Sequence, residues 1–292
     1  MKRITLPTLA LCLAISAISS RAATVYWDIN GATAQAGGAS PAGNWGATSS
    51  TWGNSAGTAA TAPWVDGDTA VFAADTDATG GYIVTVINPV TVAGLIREDG
   101  SPTISATSAN VFTFANGGLS VDTGTGTLIV NAFFAPANGV ITKAGTGILS
   151  PGTSQSTFAG KWICNAGTIS FAGDLRIGIL PGSADQITLN GGRLRSSTAG
   201  AVFTAGRGIV LGASGGGFNQ TVSNVWNGVI SGTSGGRLFF DSGVTVLGGA
   251  NTYDGDTVLN GGTLRLGASG VIPDTSLLTN AASSTVFGSG RI

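Results

Sequence analysis

Thr157-Phe158-Ala159-Gly160, running on to Asn165-Ala166-Gly167-Thr168-Ile169-Ser170-Phe171, matches Thr252-Tyr253-Asp254-Gly255, running on to Asn260-Gly261-Gly262-Thr263-Leu264-Arg265-Leu266, at a constant spacing of 95 residues. Both copies alternate apolar and polar positions, and neither has a helical period. A unit of this kind buries its apolar face only against the next unit, so the pair reads as stacked β-coils.

The same grammar extends outward from the pair. Tyr82 to Ile87 reads as an alternating strand, parted by Asn88-Pro89 from another that starts at Val90 to Val92. From about Thr103 short apolar runs bounded by Gly recur, as at Val111 to Phe114, Thr127 to Val130, Gln186 to Leu189, Gly208 to Leu211, Arg237 to Phe240 and Thr257 to Leu259. Asn-Gly-Gly follows strands at 116–118, 190–192 and 260–262. In a hairpin such a pair reverses the chain. Recurring between strands at coil-like intervals, it reads instead as a corner, because Asn and Gly tolerate the left-handed conformation. Alternation then resumes: Leu264 and Leu266 inward with Arg265 outward, Ile169 and Phe171 inward with Ser170 outward, Leu194 inward between Arg193 and Arg195.

Composition agrees. Charged residues make up 9% and Gly 48 of 292, while 42% of the chain is apolar. Disorder needs low hydrophobicity and high charge, so this balance favours a regular all-β stack. Gly and β-branched residues fill every window and leave helix nearly excluded.

The first residues read as an address. Met1-Lys2-Arg3 is basic, Ile4 to Ile18 is apolar and too short to span a bilayer, and Ser20-Arg21-Ala22 puts small residues at −3 and −1 of a cleavage site. Residues 1–22 are therefore expected to be a signal peptide, 23–80 a Gly/Ala/Ser/Thr-rich capping region, and 81–292 a parallel β-helix with repeats near 145–171 and 244–267. Cleavage removes Lys2, Arg3 and Arg21 from the 13 basic residues, leaving 10 against 14 acidic ones. A mildly acidic chain without a basic cluster argues against nucleic acid and anionic membranes as partners. No second long apolar run follows, so no transmembrane segment is expected after cleavage. It also removes Cys12, so Cys164 has no partner for a disulfide and reads as a small buried hydrophobe.

Gly-x-x-Thr-Tyr/Phe-x-Gly, then Val or Ile, then Asn-x-Gly-Thr-Leu, resembles the autotransporter-associated β-strand repeat of secreted bacterial passenger domains. The match covers 244–267 well. At 145–171 two extra residues separate Gly152 from Thr157. The resemblance implies a right-handed parallel β-helix, export to the extracellular or outer cell surface, and a structural or adhesive role. The family's C-terminal outer-membrane barrel is not legible here. The chain is thus expected to be an N-terminal piece of a longer repeat protein, or to associate end to end through Val286 to Ile292.

Chemistry is sparse. The chain has no His, which removes the usual general base and imidazole metal sites. Asp66-Gly67-Asp68, Asp75-Thr76-Asp77 and Asp254-Gly255-Asp256 are acid pairs in loops. Turn chemistry is the reading of these pairs, with Asp254 and Asp256 the metal candidates for a calcium loop. Trp27, Trp45, Trp52 and Trp64 are read as filling a cap over the first coil, with a sugar-stacking platform as the other use. No catalytic residue and no cofactor is assigned. The reading is a non-catalytic surface protein whose partners are cell-surface glycans or proteins. The alternatives are a β-helical polysaccharide lyase or hydrolase and a carbohydrate-binding module.

Overall fold

In the computed structural model, which describes residues 22–106, 111–135, 138–155, 157–273 and 276–292, the chain winds as a three-sided solenoid of parallel strands. The expected signal peptide, residues 1–22, lies outside the described residues apart from Ala22. Side A is a 10-stranded sheet and side B an 11-stranded one. The third side is built by two shorter sheets, of 3 strands early in the chain and 5 strands late in it. Apart from two short 3-10 turns, Ala115–Gly117 and Asp174–Arg176, the described elements are all strands.

The alternation read from the sequence becomes ladders. On side A the inward residues Leu119, Ile141, Trp162, Ile187, Ile209 and Ile230 stack coil on coil. On side B the ladder is Leu149, Ile169, Leu194, Phe218, Phe240 and Leu259. All are buried. Removing such apolar surface from water drives the stacking, at about 25 cal/mol per Å². An aromatic run continues inside the coils, with ring centroids 5.8 Å apart for Phe134 and Phe158, 5.9 Å for Phe158 and Trp162, and 5.2 Å for Trp162 and Phe171.

Parallel pairing starts early. Thr24–Trp27 runs beside Thr69–Phe72, and Gly43–Trp45 beside Gly81–Val86, so the short strands of the region read as a cap of loops and short strands join both long sheets. The outermost strand of side A, Trp52–Gly53, is antiparallel to Thr24–Trp27. It covers an edge that would otherwise offer unpaired backbone groups.

Two expectations change. Ser170 is buried although its neighbours point inward, because Arg195 of the next coil donates from Nε to its Oγ at 3.4 Å. The corners also differ in cause. Asn116 (φ 53°) and Gly117 (φ 73°) are left-handed as expected, as is Gly191 (φ 119°), while nothing at 260–262 has positive φ. There the glycines answer to close approach: a Cβ on Gly262 would lie 3.2 Å from the Ser242 carbonyl oxygen of the preceding coil.

The two sequence copies occupy different sides. Lys161–Cys164 and Thr168–Phe171 lie on sides A and B, whereas Thr257–Leu259 and Thr263–Leu266 lie on side B and the third side. The repeating unit is therefore strand, corner, strand, and not a whole coil.

Candidate functional site

The four N-terminal Trp rings gather into one cluster. Trp45 lies 5.0 Å from Trp52 and 4.8 Å from Trp64, centroid to centroid, and Trp27 lies 5.2 Å from Trp52. Trp27 and Trp45 are 0% exposed, Trp52 2% and Trp64 7%. Stacking on a sugar needs an open ring face, and here the faces and edges meet each other and Phe72. Trp27 Nε1 donates to the Pro41 carbonyl at 2.6 Å and Trp64 Nε1 to Asp66 Oδ1 at 3.1 Å.

The paired acids act largely on backbone amides. Asp66 Oδ1 also accepts from the Thr91 amide at 2.8 Å, and Asp68 Oδ1 from Ala23 at 2.7 Å. Asp77 accepts from the amides of Ala36 and Gly38. Asp254 is exposed and accepts from Gly235 at 2.9 Å, while Asp256 pairs with Arg237 at 3.3 Å. Asp254 and Asp256 thus have separate partners from the preceding coil. Among the described residues no group of three or more Cys, Asp or Glu is placed to hold a metal ion.

Sequence reasoning missed the buried polar groups. Lys143 stands in the inward ladder between Val121 and Cys164 and is fully buried. Its Nζ donates to the carbonyls of Ala144 at 3.0 Å, Gly145 at 2.8 Å and Ala166 at 2.9 Å, so the three N–H bonds of an ammonium clamp two successive corners. Burial lowers its pKa, with Cys164 and Asp122 opposing. The Cys164 thiol is pushed up to about 11 by burial, with Lys143 opposing. Buried amides bind coils together in the same way. Gln155 donates to the Ala132 carbonyl at 2.8 Å and accepts from the Phe134 amide at 3.0 Å. Asn251 donates to Val271 at 2.8 Å and accepts from Ile230 at 2.9 Å. Alternation from the inward Ile141 already puts Lys143 on the inner face, whereas Gln155 and Asn251 lie outside strands and carry no such signal. In all three the receiving carbonyls belong partly to other coils and are not local to the sequence.

The outward face of side B carries a second group that sequence order hides. Gly217 lies between Arg193 and Phe239 in the stack and has no side chain to separate them. The Arg193 guanidinium lies 4.5 Å from the Phe239 ring centroid and donates from Nε to Asp241 Oδ2 at 2.5 Å. Asn260 Nδ2 donates to the other Asp241 oxygen at 2.7 Å. Arg193 and Asp241 keep about a quarter of their side chains exposed, at 21% and 27%. Residues 193 to 260 thereby meet in one half-exposed patch of cation, aromatic ring, carboxylate and amide.

That patch abuts the stretch where comparison with known families gives a match. The passenger-associated-transport-repeat family matches residues 241–266, which run from Asp241 through the second sequence copy. A curated relative, the adhesin BmaC autotransporter of Brucella suis biovar 1 (strain 1330), is 33% identical over 274 residues. The chain carries the passenger repeat of bacterial autotransporters. The likeness to the adhesin takes in 92% of this chain and 7% of that protein, so the chain corresponds to a small part of it. No solved structure matches the chain. The matched stretch takes in Val244–Leu247 and ends on Thr257–Leu259, the corner and Thr263–Leu266, the strand–corner–strand unit seen in the fold.

Proposed function

We propose that this chain is an exported, non-catalytic passenger segment at the bacterial surface, with a structural and adhesive role. The observation that carries the reading is the likeness to an autotransporter adhesin along 92% of the chain, over a solenoid whose two long sheets run through almost all of it. The basic n-region and small-residue site at 1–22 support export. The Arg193–Phe239–Asp241–Asn260 patch supplies the residue types that contact sugars and protein surfaces, and we assign the adhesive contact to that outward face of side B, with cell-surface glycans or proteins as its partners.

The lyase or hydrolase alternative finds less support. Of the two lysines beyond residue 22, Lys143 is inside the core and Lys161 is engaged by Asp185. The reading is tested by displaying the chain on non-adherent bacterial cells and scoring attachment to host cells and to a glycan array. Attachment should fall several-fold in Arg193→Ala/Phe239→Ala, with the thermal unfolding curve and strand-type circular dichroism kept. Displaying cells that attach no better than bare cells would overturn it.

A further inference from the structure

The cleavage signal and the start of the solenoid's first strand fall at one peptide bond. Ser20-Arg21-Ala22 puts the cut between Ala22 and Ala23. Ala23 leads into Thr24–Trp27 and is held on both sides. Its carbonyl accepts from the Thr69 amide at 2.8 Å, and its own nitrogen donates to Asp68 Oδ1 at 2.7 Å. These contacts continue the parallel register of the strand, in which Thr24 lies beside Thr69. The ladder therefore sets the position of this nitrogen.

Asp68 is short of positive charge. It is 6% exposed, and none of the ion pairs among the described residues includes it. From residue 22 to residue 96 the chain contains Asp28, Asp66, Asp68, Asp75 and Asp77 and not one Lys or Arg. A buried carboxylate is costly until a cation or several donors answer it. Beside it lies a cavity of about 360 Å³ whose lining includes Ala22, Asp66, Asp68, Thr91 and Asn116, so two carboxylates border one space. Ala22 and Ala23 are both exposed, and removing Ala22 takes nothing from the core.

We propose that leader removal turns Ala23 into the missing counter-charge, its new α-ammonium forming an ion pair with Asp68 that seats the first strand. A leader peptidase adds water across the Ala22–Ala23 bond. The hydroxyl joins the Ala22 carbonyl carbon and a proton joins the Ala23 nitrogen as the C–N bond breaks. At neutral pH the new carboxyl gives up its proton and the new amine takes one. The neutral amide that meets Asp68 in the uncut chain is thereby replaced, in the same place, by a charged group with three N–H bonds. One is aimed at Asp68 Oδ1, and the adjoining cavity admits water to the others. Charge-assisted hydrogen bonds are about twice as strong as neutral ones. Thr24–Trp27 lies between Thr69–Phe72 and the antiparallel strand Trp52–Gly53, so fixing its start fixes the layer that closes side A. This rests on the export reading and adds a second use for the cut, an end of the solenoid that is complete only in the processed chain.

The test begins with export of the chain behind its own leader in a bacterial host, followed by the intact mass of the product, which should begin at Ala23. Purified chains that start at Ala23 are then compared with two others. One retains Ala22, which makes the Ala23 nitrogen an amide again. The other has its N-terminal amine transaminated to a ketone, which removes the charge and spares lysine. Both should melt about 2–4 °C lower than the chain with a free Ala23. Both should also exchange the amides of Thr24–Trp27 several-fold faster. In Asp68→Asn the three forms should melt together. Should Asp68→Asn fail to fold, the three forms of the unsubstituted chain decide alone. A product that stays uncut or starts elsewhere overturns the proposal by removing its cut, and that result bears on the leader and not on adhesion. A product that starts at Ala23 yet melts and exchanges alike in all three forms overturns it while the export reading stands. A difference that persists undiminished in Asp68→Asn overturns it too.

Discussion

Replacing Arg207 with Met should destabilise the chain by about 3–5 kcal/mol, the cost of breaking a buried ion pair from one side. Arg207 is 0% exposed and its Nε lies 2.8 Å from Asp174 Oδ1, whose side chain is 12% exposed. Its Nη2 donates to the carbonyls of Gly178 at 2.6 Å and Asp174 at 3.2 Å, and its Nη1 to Ile179 at 2.9 Å. One side chain therefore holds down the excursion at 172–182, where, among the described residues, the third side has no strand between Phe134–Ala135 and Ala201–Phe203. Met keeps much of the apolar stem and removes the donors, leaving the Asp174 carboxylate and three carbonyls to find water. Denaturant unfolding reads the global loss. Limited proteolysis reads the local one, because Leu175, Ile179 and Leu180 are already exposed on this loop and should be cut first. In Arg207→Met/Asp174→Asn the stranded charge is gone, so the double variant should be more stable than the sum of the singles, by about 0.5–3 kcal/mol. A loss below about 1 kcal/mol in Arg207→Met, with unchanged proteolysis, would refute the idea that this pair anchors the loop.

Other outcomes follow from single contacts. Gly192→Ala should cost about 1–3 kcal/mol by overpacking, since its Cβ would lie 2.1 Å from Cys164 Sγ and 2.8 Å from the Cys164 carbonyl oxygen. Adding Cys164→Ala should restore only part of this in the same denaturant melt, because the carbonyl remains. The Cys164 thiol, raised from 9.0 to about 11, keeps its proton in the fold while the unfolded chain loses it. Its contribution to stability is thus whole below pH 9.0 and lost as pH climbs towards 11, a slope that Cys164→Ala should remove from a pH series of melts. A thiol reagent at neutral pH should label Cys164 only after denaturant is added. Leu278–Asn280 and Thr285–Gly288 are end strands of their sheets, and Leu277, Phe287 and Ile292 are exposed. The purified chain should accordingly self-associate with rising concentration, and a charged segment fused after Ile292 should suppress it. Light scattering that reports a monomer throughout would remove end-to-end pairing from the account.

Beyond the first coil, stacked neighbours in this solenoid are 19–26 residues apart, and that distance separates what was readable from what was not. Alternation is a local property, so the inward set of Leu264, Leu266, Ile169 and Leu194 could be read from its own strands. The Asn-Gly-Gly corners could be placed for the same reason, although only some of them use the left-handed conformation. The patch of Arg193, Phe239, Asp241 and Asn260 could not, because it exists only through the stacking of four coils and the missing side chain at Gly217.

The sequence by itself determined the unit: a strand, a Gly-bearing corner and a strand, repeated 95 residues apart and apolar on one face. Only the tertiary structure decided where each unit lies, and it set the first copy on sides A and B and the second on side B and the third side. The physical reason is that burial rewards any inward ladder equally. Which side a strand joins depends on how many residues the intervening loops consume, and on whether buried donors such as Lys143 and Arg207 can hold those loops to the carbonyls they pass.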